Sequence, residues 1–149
     1  MVQTGTRYVL AYTLWVVSVA LAIMVLLSWR SSAMIILGVT PWDRYLEHAL
    51  NQFGFLFLAI IGLCVIVFAE HYYRTGVEKE RLFIRFFFIT FIELIFLTGA
   101  HLARLIGSVI LEISITGTWQ VVLVEFILCI LAYILFRRAI ANYVEPELS

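Results

Sequence analysis

Apolar residues dominate four long segments of this chain, and polar residues collect between them. The apolar segments run at about Tyr8–Trp29, Phe53–Tyr73, Phe83–Ile110 and Trp119–Phe136. Each is long enough to cross roughly 30 Å of hydrocarbon as an α-helix, which needs about 20 residues. The pattern therefore predicts an all-α integral membrane protein in which residues 1–149 form one domain, a bundle of four transmembrane helices.

The segment between the first two spans contains a helix start. In "VTPWDRYLEHAL", Thr40 is a suitable N-cap, Pro41 suits the first helical position, and Asp43 completes a spacing like that of a capping box. From Pro41 the chain is predicted to continue as a short interfacial helix into span two. Gly117 in "ITGTWQ" predicts a turn just before span four.

Composition and charge position support this membrane prediction. Of 149 residues, 64% are hydrophobic and 13% are charged, with a mean hydropathy of +1.05, far from the composition of soluble domains. The net charge of zero does not favour a nucleic acid as partner. Seven of the ten basic residues lie on one side of the four-span arrangement: Arg7, Arg74, Lys79, Arg81, Arg85, Arg137 and Arg138. The positive-inside rule then predicts that both termini are cytoplasmic. The expected location is a bacterial inner membrane or another energy-transducing membrane.

Aromatic residues near the span ends are typical of anchors at the membrane interface. The residues with this predicted role are Trp29, Trp42, Tyr45, Tyr72, Tyr73 and Trp119.

Span three carries the unusual chemistry, because Glu93, His101 and Arg104 lie inside it. An ionisable group in hydrocarbon costs at least a few kcal/mol unless it is paired or hydrated. At about 100° per residue, Arg104 lies about 20° and His101 about 80° from Glu93, so all three form one polar strip facing the bundle interior. Glu93 and Arg104 are about 16 Å apart along the axis, and partners must therefore come from other helices. Arg104 is predicted either to pair with Glu125 or to extend outward to the membrane surface. Glu93 is predicted either to be protonated and hydrogen-bonded, for example to Tyr133, or to be a proton or cation site. Together Glu93, Arg104 and Glu125 form the predicted buried polar network.

Two further faces complete the predicted surface of span three. Gly99, Ala103 and Gly107 repeat every four residues, a small-residue pattern that lets a neighbouring helix approach closely. Large aliphatic side chains on the remaining face are predicted to contact lipid: Leu94, Ile95, Leu102, Leu105 and Ile106.

Candidate ligand chemistry centres on His101. The small residues around it leave room for the flat ring of a chlorophyll-type pigment, and a quinone or lipid headgroup held by His101, Arg104 and Glu125 is an alternative. A hydrogen-bonded structural histidine is the third interpretation. Cys64 and Cys129 lie in different spans without a CxxC pair, which predicts no metal site. No convergent nucleophile and base are evident, so the chain is predicted not to be an enzyme.

The order of features from "FLFLAIIGLCVIVFAEHYYRTG" through the charged hairpin, closing with "VLVEFILCILAYILFRRA", resembles the PsiE family of phosphate-starvation-inducible membrane proteins. The resemblance covers roughly the last two-thirds of the chain. It rests on span order, on the Glu70–Tyr73 helix end followed by Gly76, and on the pair Arg137 and Arg138. It implies a small four-span membrane protein. Span three departs from the family by carrying Glu93 where basic residues are expected, and no site residue is transferred.

Three functions are compatible with these features. The leading expectation is a non-enzymatic accessory or assembly subunit of a larger membrane complex, such as a respiratory or photosynthetic one, with other membrane subunits as partners. It follows from the small size and from a contact surface rich in Phe and small residues. The first alternative is a small proton- or ion-coupled channel or transporter using Glu93, His101 and Arg104. The second is a pigment-, quinone- or lipid-binding subunit with His101 as ligand.

Overall fold

A computed structural model of the protein, which describes residues 2–39, 43–79, 81–112 and 117–144, consists of long α-helices. They are α1 (Val2–Val39), α2 (Arg44–Glu78), α3 (Leu82–Ile110) and α4 (Thr118–Val144). Each contains a segment long and apolar enough to span a membrane. The described residues include no strand. The prediction of an all-α, four-span membrane protein is therefore confirmed.

The helices extend beyond the apolar segments that predict them. The residues expected to form a short interfacial helix are the first turns of α2, which continues without a break into span two. Asp43 occupies the N-cap position of α2 but makes no side-chain capping hydrogen bond. The predicted contributions of Thr40, Pro41 and Trp42 lie outside the described residues.

The turn between α2 and α3 is short. The charged hairpin after span two is almost entirely helical, because α2 continues to Glu78 and α3 begins at Leu82. The predicted turn before span four is confirmed, since Gly117 has a φ of 91° and directly precedes α4. A side chain would be strained at this φ, which explains the glycine.

Helix α3 is central to the bundle. It packs extensively against α1 and α4 and only sparsely against α2, whereas α2 packs mainly against α1. Within the described part of the chain, α4 contacts α3 alone. Helices α1 and α3 run parallel, and α2 and α4 run antiparallel to them. We call the end that holds the start of α1 and the α2–α3 turn the proximal end, and the opposite end the distal end.

The small-residue seam on α3 receives α1. A Cβ added to Gly107 would lie 2.8 Å from Ile35 Cγ2, and one added to Gly99 would lie 3.8 Å from the Trp29 ring. Ala103 is half-buried between them. Close approach of α1 is therefore seen at Gly107, whereas Gly99 has room for an ordinary van der Waals contact with Trp29. Gly62 allows α2 to approach α1 closely, because a Cβ at this position would collide with the Leu26 side chain.

Two Trp-x-x-Ser pairs on α1, for which the hydrophobic pattern gives no signal, form hydrogen bonds with the neighbouring helices. The first pair faces α2. The Trp15 indole N–H donates to the Ile66 carbonyl at 3.2 Å, and the hydroxyls of Ser18 and Tyr73 share a hydrogen bond of 2.7 Å. Tyr73 is only 1% exposed. Its predicted role as an interface anchor was wrong, because its hydroxyl finds a partner inside the bundle.

The second pair faces α3. The Trp29 indole N–H donates to the Phe96 carbonyl at 3.1 Å, and the Ser32 hydroxyl donates to the Ala100 carbonyl at 2.6 Å. Trp29 is half-buried, so it contributes to helix association in addition to its predicted anchoring role. The two pairs lie about four helical turns apart on α1. Helix α1 therefore bonds α2 through the first pair and α3 through the second.

Removing the Ser32 hydroxyl should weaken the α1–α3 contact. Ser32 is fully buried, and interhelical hydrogen bonds in membranes contribute about 0.6 kcal/mol on average and about 1.7 kcal/mol at most. We expect Ser32→Ala to lose stability within this range in thermal unfolding in mild detergent. Thr13→Ala is the matched control, because that exposed hydroxyl bonds only its own helix, at Val9. Equal losses in both variants would contradict the assignment.

The face of α3 predicted to contact lipid is divided in the structure. Ile95, Leu102 and Ile106 are exposed, as predicted, whereas Leu94 and Leu105 are buried. The two buried leucines lie on the side of α3 that packs against α4. The prediction was wrong for them because a helix at the centre of a bundle needs two packing faces.

Aromatic rings hold two arginines at the proximal end. The Arg85 guanidinium lies 4.3 Å from the ring centre of Tyr72 and also donates to the Tyr72 carbonyl. Arg81 lies 4.3 Å from the ring centre of Tyr143 at the end of α4. A cation near the C-terminal end of a helix also interacts favourably with the negative end of the helix dipole. These contacts join the α2–α3 turn to the ends of both antiparallel helices.

Candidate functional site

Glu93 is the most unusual side chain of the bundle. It lies near the middle of α3, is 8% exposed, and its Oε2 has no hydrogen-bond partner. The predicted hydrogen bond to Tyr133 was wrong, because the Tyr133 ring packs against Phe91 with 5.5 Å between ring centres. Glu93 instead faces α1 and α2, so its carboxyl group is buried among apolar side chains.

Two apolar cavities meet at Glu93. The distal cavity has a volume of about 330 Å³ and is walled by residues that include Trp29, Leu58 and Phe96. The proximal cavity has a volume of about 400 Å³, with Phe68 and Phe88 in its walls. Both are also lined by Val65, Ile92 and Glu93. We call the two together the Glu93 groove.

The Glu93 groove is open along the side of the bundle. Helices α2 and α3 contact each other sparsely, and α1 closes the distal part of the groove from behind. Val65, Phe68 and Ile92 on the two walls are exposed. In a bilayer this exposed side faces the lipid chains. Glu93 therefore lies at the bottom of an apolar groove that lipid-soluble molecules can reach, and its carboxyl group is buried against the groove wall.

Few polar groups accompany Glu93. Thr90, about one turn away on the same helix, also has a buried hydroxyl without a partner. His71 and Tyr72 line the proximal cavity only. A charged carboxylate in apolar surroundings is costly, so the group needs either a bound proton or a cation beside it.

His101 and Glu125 form a separate polar contact between α3 and α4. The His101 Nδ1 lies 2.9 Å from each carboxylate oxygen of Glu125. The predicted pairing of Glu125 with Arg104 was therefore wrong. His101 reaches α4 because it lies about 60° further round α3 than Arg104 does.

The predicted buried network of Glu93, Arg104 and Glu125 is divided in the structure. Glu93 faces α1 and α2, and Glu125 bonds His101 on the α4 side. Arg104 is half-buried, and its Nε has no hydrogen-bond partner. The polar strip on α3 thus consists of three separate groups.

The geometry of His101 bears on its predicted role as a ligand. A histidine that binds a metal through one ring nitrogen commonly donates its other N–H to a carboxylate, as Nδ1 does here to Glu125. The Nε2 atom would then be the ligand atom. A pigment, quinone or lipid at His101 stays a prediction. Within the described ranges, no group of three or more His, Cys, Asp or Glu side chains is placed to hold a metal ion.

The His101–Glu125 contact should help to hold α4 in place, because α4 packs only against α3 among the described helices. We expect Glu125→Leu to destabilise the protein by about 1 kcal/mol, since it leaves the N–H of a half-buried imidazole unpaired. His101→Leu combined with Glu125→Leu should recover part of this loss. Thermal unfolding of the two single variants and the double variant gives the coupling energy. Strictly additive losses would contradict a direct interaction.

The fold defines the chain as a multi-pass helical membrane protein. Comparisons with protein-family models, with curated proteins and with solved structures find no match to this chain. The resemblance to the PsiE family stays a prediction.

Proposed function

We propose that this protein is a small proton-coupled transporter that exchanges a proton for a cation at Glu93. The observation that carries the proposal is the unpaired, buried Glu93 carboxyl group at the bottom of a groove open to lipid. Ionisable residues inside membrane spans commonly mark ion pathways and proton relays. The sequence suggested a proton- or ion-coupled transporter that uses Glu93, His101 and Arg104. Here the exchange is assigned to Glu93 alone.

Competition for one carboxylate supplies the coupling. A proton and a cation each neutralise Glu93, and the site accommodates one of them at a time. Binding of the cation therefore releases the proton, and a proton gradient favours release of the cation on the more acidic side. By linkage, each ligand lowers the affinity for the other by the same factor.

The helix arrangement offers a means of changing access to Glu93. Helix α2 is bonded to α1 through the carbonyl of Ile66 and the hydroxyl of Tyr73, but it has few contacts with α3. A movement of α1 and α2 together would widen or close the groove, but it would strain the α1–α3 seam. Bending of α2 alone would leave that seam intact and would work against the hydrogen bonds between α2 and α1 instead. We propose bending of α2 as the opening motion.

The basic residues support an orientation for this activity. Arg74 and Lys79 near the end of α2, Arg81 and Arg85 near the start of α3, and Arg7 near the start of α1 all belong to the proximal end. Under the positive-inside rule this end faces the cytoplasm. The protein would then lie in an energy-transducing membrane, whose proton gradient drives the exchange.

A flux measurement with the purified protein tests the proposal. Proteoliposomes with an acidic interior that contains a pH-sensitive dye receive Na⁺, K⁺ or tetraphenylphosphonium in separate runs. We expect the interior to become alkaline faster than in empty liposomes with at least one of these cations. Rates equal to those of empty liposomes for all three would contradict the proposed function.

The accessory-subunit hypothesis remains a second candidate, favoured by a specific feature of α4. Because α4 contacts only α3 in the described part of the chain, both of its flanks are open to helices of another subunit. Purification from gentle detergent distinguishes this candidate. A stable monomer without a larger partner would count against it, whereas a defined complex that dissociates when α4 is altered would support it.

A further inference from the structure

We infer that the cation bound at Glu93 is a lipophilic organic monocation, which enters the Glu93 groove sideways from the lipid phase. This inference rests on the proposed function, and it names the substrate class. Four features of the groove carry it: its ligand chemistry, its aromatic walls, its size and its opening.

The ligand chemistry of the groove disfavours a metal ion. Hard cations such as Ca²⁺ take about six to eight oxygen ligands. In the described structure, Glu93 lines the groove among apolar side chains with its carboxyl group buried, and the buried Thr90 hydroxyl lies about one turn away. An organic cation needs no such set of oxygen ligands. Its hydrocarbon groups make apolar contacts, and one carboxylate balances its charge. A single carboxylate also matches a single positive charge.

The walls and volume suit such a molecule. Trp29 and Phe96 line the distal cavity, and Phe68 and Phe88 line the proximal one. Aromatic faces attract organic cations because the negative face of the ring attracts positive charge. The cavities, about 330 and 400 Å³, lie at the lower end of the range of about 300 to 1,000 Å³ that is usual for small-molecule sites.

The route of entry follows from the opening. The groove reaches the outside between Val65 and Phe68 of α2 and Ile92 of α3, which are apolar and exposed. A hydrated ion would have to lose its water before it reached this entrance, whereas a lipophilic cation is already dissolved in the membrane. The titratable groups that line the groove besides Glu93 are His71 and Tyr72, both in the proximal cavity. Neither lines the distal cavity, where Glu93 is the ionisable group.

A matched pair of variants tests the assignment. Val65 lines both cavities, and tryptophan there would fill the junction beside Glu93. Val67 is also exposed but lies about 200° away on α2, outside the groove. We expect Val65→Trp to weaken tetraphenylphosphonium binding, measured by equilibrium dialysis in detergent, by about tenfold or more. Val67→Trp should bind like the wild-type protein.

A measurement on the wild-type protein avoids dependence on the folding of a variant. A phosphonium ion that carries a photoreactive diazirine should label the walls of the groove at residues 58–68 and 88–96. An excess of tetraphenylphosphonium should suppress the labelling. Labelling confined to other surfaces would overturn the inference.

The outcomes separate the inference from the proposed function. Proton release by tetraphenylphosphonium but not by Na⁺ or K⁺, lost in Val65→Trp, supports both. Proton release by Na⁺ or K⁺ alone overturns the substrate class and leaves the exchange at Glu93 standing. No proton release by any of the three ions contradicts the proposed function. Equal binding to Val65→Trp and Val67→Trp overturns the location.

Discussion

Glu93→Gln is expected to abolish cation-driven proton movement while leaving the helical bundle folded. Glutamine has nearly the same shape as glutamate, so the apolar walls around residue 93 keep their contacts. It has no exchangeable acidic proton and no negative charge, and it can therefore neither release a proton nor balance a cation. The rate of internal pH change in proteoliposomes should fall to that of empty liposomes.

Two further substitutions make this result specific. Glu78→Gln removes an exposed acid from the end of α2, and we expect transport to be unchanged. Glu93→Asp keeps the acid but draws the carboxyl group back toward α3 by one methylene, and we expect slower exchange. Circular dichroism of each variant checks the helix content. Wild-type flux in a folded Glu93→Gln protein would refute the assignment of Glu93 as the exchange site.

Gly107→Leu is expected to produce the largest loss of stability. A Cβ alone at position 107 would lie 2.8 Å from Ile35 Cγ2, and leucine adds three more carbon atoms in the same space. The parallel helices α1 and α3 would have to separate at the distal end, which also strains the nearby Ser32–Ala100 hydrogen bond. Overpacking of this kind costs about 1 to 3 kcal/mol and occasionally more.

The matched control for this prediction is Gly38→Leu. Gly38 lies near the distal end of α1, and a Cβ there meets nothing within 4 Å. Both substitutions gain about the same helix propensity, roughly 1 kcal/mol. The difference in stability between the two variants therefore reports the effect of packing at position 107. Thermal unfolding in mild detergent should show a lower midpoint for Gly107→Leu only. A similar midpoint for the two variants would mean that α1 and α3 are not closely packed at Gly107.

Much of the candidate site could be anticipated from α3 alone, but its pairing could not. The sequence places Glu93, His101 and Arg104 on one side of a helix within the membrane. The structure agrees, because Glu93 is buried and His101 and Arg104 are half-buried. Its assignment of partners failed twice, at Glu125 and at Tyr133. Helical angles state the direction in which a side chain leaves its own axis, and they do not identify the helix that lies in that direction.

The groove could not be predicted from the sequence either, because no residue type marks its walls. Val65, Phe68 and Ile92 have the same apolar character as residues that contact lipid or another helix. Their importance follows from the sparse contact between α2 and α3, which leaves a space beside Glu93. Only the small residues offered a local signal of close packing, and the close contact of Gly107 with α1 agrees with it.

By itself the sequence determined that the protein is helical and membrane-spanning, where its four spans lie, and that α3 carries a close-packing seam beside ionisable residues. These properties depend on local hydropathy and on the period of one helix. Only the tertiary structure decided that α3 lies between α1 and α4, that His101 bonds Glu125, and that Glu93 is left at the bottom of an open groove. In a membrane, lipid and neighbouring helices are equally apolar, so the hydrophobic pattern that specifies each span cannot specify which surface meets which.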